Sequence, residues 1–169
     1  IYTVSADGQR AAGWSTTPNS EQARVATLWE VGKGATLIMD ERLSNAWCSA
    51  RKFSPNGKWL LFWEGYYDTP ADQITDPTAS NMALRALYNV ETGEKTDMPT
   101  ITRDPFNFDV FDINDNGTIV GYESPEATQL DQAIIFKDGK TRWLYDYLKE
   151  QGVDMDADTG ILREGKDIY

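Results

Sequence analysis

An all-β fold of repeated four-stranded meanders is predicted by three observations. A small polar residue, an Asp or Asn, a Gly and a short apolar strand recur in Ser5–Trp14 (SADGQRAAGW), Ser54–Trp63 (SPNGKWLLFW) and Asn114–Glu123 (NDNGTIVGYE). The Asp-Gly and Asn-Gly steps are the strongest short-range hairpin signal, because glycine accepts the positive φ that tight primed turns require. The chain also holds six Trp and eight Tyr in 169 residues, and aromatic side chains suit the half-buried surface of a sheet.

Each copy follows a strand-like run: IYTVS, CSARKFS and FNFDVFDI. Each is followed by a second hairpin, ATLWEVGKGATLIMD, ALRALYNVETGEKTDM or AIIFKDGKTRWLYD, which sets Trp29, Tyr88 or Phe136 shortly before a glycine-containing turn. The unit therefore reads strand, tight turn, strand, longer loop, strand, tight turn, strand. Four antiparallel strands recurring about every fifty to sixty residues are the signature of a β-propeller blade. The expected blades span 1–45, 46–105 and 106–160, and GKDIY begins a further one over 161–169. One short helix is expected over Tyr145–Gly152, ended by its glycine. Closed propellers use about four to eight blades, so the chain is expected to be a partial β-propeller, either a segment of a larger one or a fragment left by proteolysis. Open strand edges would then favour edge-to-edge self-association.

DINDNGTIVGYE followed by QAIIFKDGKTRWLYDYL resembles the HAF extracellular repeat, which pairs an IND-G-xVGY strand with an AF-W-G hairpin. KFSPNGKWLLFW is similar to the TolB-type propeller repeat, whose core is SPDGK before an apolar-aromatic strand. The resemblance covers most of the chain. It implies propeller blades of a bacterial protein that is exported, periplasmic or on the cell surface. The copies differ from one another, and the second carries a long insertion after Trp63.

Composition removes several classes of chemistry. The chain has no His, which excludes Ser-His-Asp triads, Cys-His pairs, His-ligated zinc and HExxH metalloprotease sites within it. Cys48 is the lone cysteine and sits in the apolar run AWCSA, where it reads as a small buried hydrophobe. A net charge of -11 argues against nucleic acid or anionic membrane as partners. No apolar run approaches membrane-spanning length, and no signal peptide is visible in the sequence given.

Asp112–Glu123 also fits a calcium-binding EF-hand loop. Asp112, Asn114, Asn116 and Glu123 stand at loop positions one, three, five and twelve, with Gly117 at six and Ile119 at eight. An EF-hand needs flanking helices, whereas PFNFDVF before the loop favours a strand. The other two copies repeat the glycine and the apolar alternation but not the ligands. The turn-and-strand reading is therefore preferred, and what remains of the metal reading is a looser Ca2+ site in the turn from Asp112, Asn114 and Asn116.

In a meander the first and third connections lie at one end of the sheet, and the second lies with the link to the next unit at the other. The tight glycine turns all fall at the first end; STTPNSEQ, EGYYDTPADQITDPTASN, ESPEATQLDQ and the inter-unit links fall at the second. Loops displayed from a rigid scaffold are where binding usually resides. The longest, Glu64–Asn81, combines Glu64, Asp68, Asp72 and Asp76 with Tyr66 and Tyr67. Flat rings beside carboxylates could stack a sugar and bond its hydroxyls, or hold a cation; the plainer and weightier reading is a solvated insertion. Trp47 and Arg103, both near long connections, complete the candidate ligand-binding set. Trp14, Trp59 and Trp63 are expected to fill gaps between blades, and Trp143 lies near a loop.

The function expected is a non-catalytic scaffold that binds protein or glycan through its long-loop face, with no catalytic residue assigned. One alternative is part of a glycan-active propeller enzyme, since paired carboxylates suffice for that chemistry. The sialidase Asp-box is not met, and no G-x-S-x-G motif is present. The other alternative is a calcium-binding module through Asp112–Glu123.

Overall fold

The computed structural model describes residues 1–16, 24–38, 47–67, 81–102, 108–125 and 130–153, with backbone alone at 47, 64–67 and 81–84. The described chain is all-β apart from one short helix. The first meander comprises β1 (Thr3–Val4), β2 (Arg10–Thr16), β3 (Arg24–Glu30) and β4 (Gly34–Ile38). The second comprises β5 (Trp47–Phe53), β6 (Trp59–Tyr67), β7 (Asn81–Asn89) and β8 (Lys95–Met98). The third comprises β9 (Phe108–Ile113), β10 (Ile119–Glu123), β11 (Gln132–Lys137) and β12 (Lys140–Trp143), and helix α1 (Leu144–Glu150) follows it directly. Each is a four-stranded antiparallel sheet in sequence order, and among the described residues one parallel pairing, Arg24 with Trp47, joins the first to the second.

Two compact units result: Ile1–Asp97 with Ile113–Gly117, and Met98–Asp112 with the described residues from Thr118 onward. In the first unit, Ala12, Ala26, Leu28 and Ile38 of the first meander share a buried cluster with Cys48, Ala50, Phe53, Leu60, Phe62 and Ala86 of the second. Strand alternation puts Leu60 and Phe62 on one face of β6, opposite Tyr88 and Ala86 of β7. The four alanines leave room for the larger Leu28, Leu60 and Phe62, so large and small residues interdigitate as a dense interior requires. Burying each of those three contributes about 1.5–3 kcal/mol. Cys48 is 2% exposed in this cluster, in line with its sequence context. The other face of β6–β7 carries buried Leu61 and Leu87. Gly117 lies against it: a Cβ there would stand 3.4 Å from Leu87 and 3.5 Å from Trp59. Trp59 thus lies beside the third repeat turn.

In the second unit, Phe108, Ile119, Ile134 and Phe136 are buried. Register sets Ile119 opposite Phe136 and Gly121 opposite Ile134, so one face of β10–β11 is the apolar one. Helix α1 starts one residue earlier than the sequence suggested and its last helical residue is Glu150, two before the glycine that closes it. Val153 N donates to Leu148 O and Gly152 N to Lys149 O, with Gly152 at φ 81°, which is a Schellman close.

The turns differ from expectation in type. The primed two-residue turn is found at Asp138–Gly139, where φ is 53° and 74° and Lys137 pairs with Lys140. The three repeat turns are longer. Ser5 N bonds Arg10 O and Ser54 N bonds Trp59 O, which leaves four residues inside each loop. Within them Gly8 N donates to Ser5 O, Gly57 N to Ser54 O and Gly117 N to Asn114 O. Polar side chains hold these wider loops.

Candidate functional site

The repeat turns are built from their own polar groups. Ser5 Oγ donates to Asp7 Oδ1 at 2.6 Å and accepts from Arg10 N at 2.9 Å, while Gln9 N donates to Asp7 Oδ1 at 3.0 Å. The Ser5 hydroxyl, followed by the Gln9 N–H, holds the Asp7 carboxyl below its ordinary value. The second copy repeats the bonds: Ser54 Oγ to Asn56 Oδ1 at 2.8 Å, Trp59 N to Ser54 Oγ at 3.0 Å and Lys58 N to Asn56 Oδ1 at 2.9 Å. In the third, Asn114 takes the serine's place and its Oδ1 accepts from Asn116 N at 2.9 Å. The spacing of small polar residue, Asp or Asn, and Gly therefore recurs because the turn needs it.

Within the first unit the turns bond to one another. Val31 N donates to Gln9 O, and Val90 N to Lys58 O, so first and third connections lie side by side at one end of each sheet. Arg10 Nε contacts Glu30 at 3.1 Å and its Nη1 reaches Gly57 O at 3.3 Å, from the first meander to the second. Asn56 N donates to Asp115 Oδ1 at 2.7 Å, which ties the second turn to the third. Glu30 is further approached by Lys33 at 3.3 Å. Burial alone would raise the Glu30 carboxyl, but the bonds from Arg10 and Lys33 outweigh it and hold it below its ordinary value.

The candidate metal residues fall on this structural end. Asp112 is the penultimate residue of β9, and Asn114 and Asn116 are exposed in the turn. Strands β9 and β10, not helices, flank the segment. Glu123, twelfth in the calcium reading, ends β10 and is fully buried; Ile101 N donates to its Oε2 at 2.9 Å, and Thr102 N and Oγ1 both donate to its Oε1. A strand rises about 3.3 Å per residue, so Glu123 stands roughly 13 Å along β10 from Ile119. A wrapped twelve-residue cage is not the conformation of Asp112–Glu123. Among the described residues no group of three or more acidic or Cys side chains is arranged to hold a metal ion.

At the opposite end, the sequence set Glu64–Asn81 as one loop. Strand β6 instead runs on through Tyr67, pairing Glu64 with Leu84, Tyr66 with Met82 and Tyr67 with Asn81. Tyrosine favours strands, and pairing runs out to Tyr67 and Asn81. Trp47 pairs with Gly65, so Trp47 and Glu64–Tyr67 belong to one corner of the second sheet. Asp68, Asp72, Asp76 and Arg103 lie outside the described residues, as do most of the other long connections.

The next row of that sheet is Ser49, Trp63 and Arg85. Arg85 is buried, with its guanidinium 5.4 Å from the centre of the Trp63 ring. In the first sheet Arg24, which stands opposite Thr16 and two residues from the partner of Trp14, lies 4.6 Å over the Trp14 ring. Trp14 and Trp63 each close a repeat copy, so an arginine backs the same aromatic position twice. Such pairs contribute about 0.5–2 kcal/mol each. The sequence reading missed both arginines; the one available signal was a charge inside an otherwise apolar strand, ALRALYN.

No family model matches the chain, and no curated protein matches it in sequence. The likeness to HAF and TolB-type repeats rests on the motif residues alone.

Proposed function

We propose that this chain is a segment of a β-propeller, exported to the periplasm or the cell surface, that acts as a non-catalytic scaffold and binds a protein or a glycan through its long-connection end. The observation that carries the reading is the division of labour between the two ends of the meanders. At the tight-turn end, Ser5, Asp7, Arg10, Glu30, Ser54, Asn56 and Asp115 are engaged with one another. Recognition is thereby left to the other end, where Trp47 of β5 pairs with Gly65, β6 carries Glu64, Tyr66 and Tyr67, and the sequence bearing Asp68, Asp72 and Asp76 follows. Tyrosines beside carboxylates offer a stacking face and hydroxyl acceptors, which is the chemistry of a sugar ring or of a polar peptide. The repeat sequences and the three four-stranded meanders support the propeller part.

A glycan array on the whole chain, followed by a hydrolysis assay on each hit, tests this. Expected is binding that falls about tenfold or more in Tyr66→Ala/Tyr67→Ala, as for loss of anchoring aromatics, is retained in the tight-turn variant Lys33→Ala, and is accompanied by no turnover. Hydrolysis of a bound glycan would replace the scaffold with the carboxylate-enzyme reading. Binding unaffected by the tyrosine variant but lost in Lys33→Ala would assign recognition to the wrong end.

A further inference from the structure

Helix α1 lies across one face of β11–β12, and its hold there is polar. Tyr147 Oη meets Lys137 Nζ at 3.1 Å, the Arg142 guanidinium lies 5.7 Å from the Tyr147 ring centre, and Arg142 pairs with Glu150 at 3.2 Å. Lys137 and Ile135 alternate along β11 onto the same face, and Arg142 stands opposite Ile135 in register. A ring that reaches both cations therefore covers Ile135, which is 7% exposed. On β10, Val120 is opposite Ile135, and Tyr122, two residues on, packs on Phe111 at 5.6 Å. Phe111 and Val120 are exposed, at 60% and 40%.

We infer that α1 is a strap that detaches from the third sheet as a local unit, and that its release joins Ile135 to Val120, Tyr122 and Phe111 as one apolar stripe. The helix has seven residues, none of them buried, and no side-chain bond at its N-cap. Helices shorter than about 12–15 residues do not persist without packing. Leu144, Tyr147 and Leu148 are only half-buried, and the Arg142–Glu150 tether is open to solvent, at 37% and 61% exposure, where such pairs are weak. On the face that α1 covers, Ile135 is the buried residue of β11, whereas Ile134 and Phe136 point to the opposite face. Regions with few buried apolar contacts open below the free energy of global unfolding. The Schellman close at Gly152 keeps the helix regular while docked without adding anchorage to the sheet.

Amide hydrogen exchange on the whole chain decides the first part in the wild type. The hydrogen-bonded amides of Gln151, Gly152 and Val153 are expected to exchange at least about tenfold faster than the ladder amides of β10 and β11. Tyr147→Ala is expected to speed the α1 amides further while leaving β10–β11 unchanged. Exchange of α1 and β11 at one common rate in the wild type overturns the strap. Binding of an apolar dye tests the stripe: a gain in Tyr147→Ala that Phe111→Ser added to it abolishes supports the inference, and an unchanged signal in Tyr147→Ala sinks it.

Discussion

Arg10 and Glu123 show how far single side chains could be read. Arg10 is an unremarked letter in SADGQRAAGW, yet its guanidinium joins Glu30 to the carbonyl of Gly57; nothing local in sequence announces a partner 47 positions away. Glu123 invited a ligand role by its spacing, and the fold gives its carboxylate to Ile101 and Thr102 instead. A buried carboxylate must find donors, and here they come from the connection after β8. Glu30 carries a consequence for pH. Its folded carboxyl lies below the ordinary value of 4.5, so the folded state binds its proton less readily than the unfolded chain. The stabilisation is present above that value and is lost as pH falls through the lowered folded value. Urea unfolding of the wild type should weaken from pH 5 toward pH 3, and Glu30→Gln should weaken about 1 kcal/mol less over the same span, the scale of a part-exposed ion pair. Parallel pH profiles for the two proteins would remove the ion pair from the stability of the first unit.

Elements were more legible than partners. The alternation of Ile119, Val120, Gly121 and Tyr122 as buried, exposed, buried and half-buried follows the strand period read from IVGYE. The hairpin at Asp138–Gly139 and the glycine end of α1 were visible because each needs a specific residue at positive φ. Turn type at the three repeats was not visible, since Ser5–Asp7 and Ser54–Asn56 bonds compete with the glycine in choosing loop length. Gly121 shows a different demand. Its φ is ordinary, but β9 passes so close that a Cβ would stand 2.9 Å from Val110 Cα and nearer still to the Asp109 carbonyl. Gly121→Ala must displace backbone, not a flexible side chain. We expect a loss of about 1–3 kcal/mol in chemical denaturation, the range for overpacking. Gly8→Ala serves as the contrast, because nothing lies within 4 Å of its added Cβ and only its φ of +68° opposes it. A loss at Gly121→Ala close to zero, with the Gly8→Ala loss intact, would show that β9 gives way at no cost.

At the scale of the whole chain, three meanders and their turn ends were readable from the recurring glycines, whereas the long connections were readable only as composition. Tight turns carry their geometry in a few residues, whereas the sequence of 68–80 holds no Asp-Gly or Asn-Gly turn signature and lies outside the described residues. Among the described residues, strand β4 is paired on one side, with β3, and Gly34–Leu37 are exposed along it. An open edge of unpaired N–H and C=O groups invites a further strand, and Leu37, 45% exposed, adds an apolar side chain there. The net charge of -11 acts against association of like chains, and that repulsion is screened within about 8 Å at physiological salt. Self-association is therefore expected to grow with both protein concentration and ionic strength in analytical ultracentrifugation. Leu37→Lys places a charge on the edge without touching the buried cluster and should restore the monomer. A sedimentation coefficient that stays monomeric at high concentration and high salt would show that the β4 edge is guarded, and the edge-pairing proposal would fail on that result.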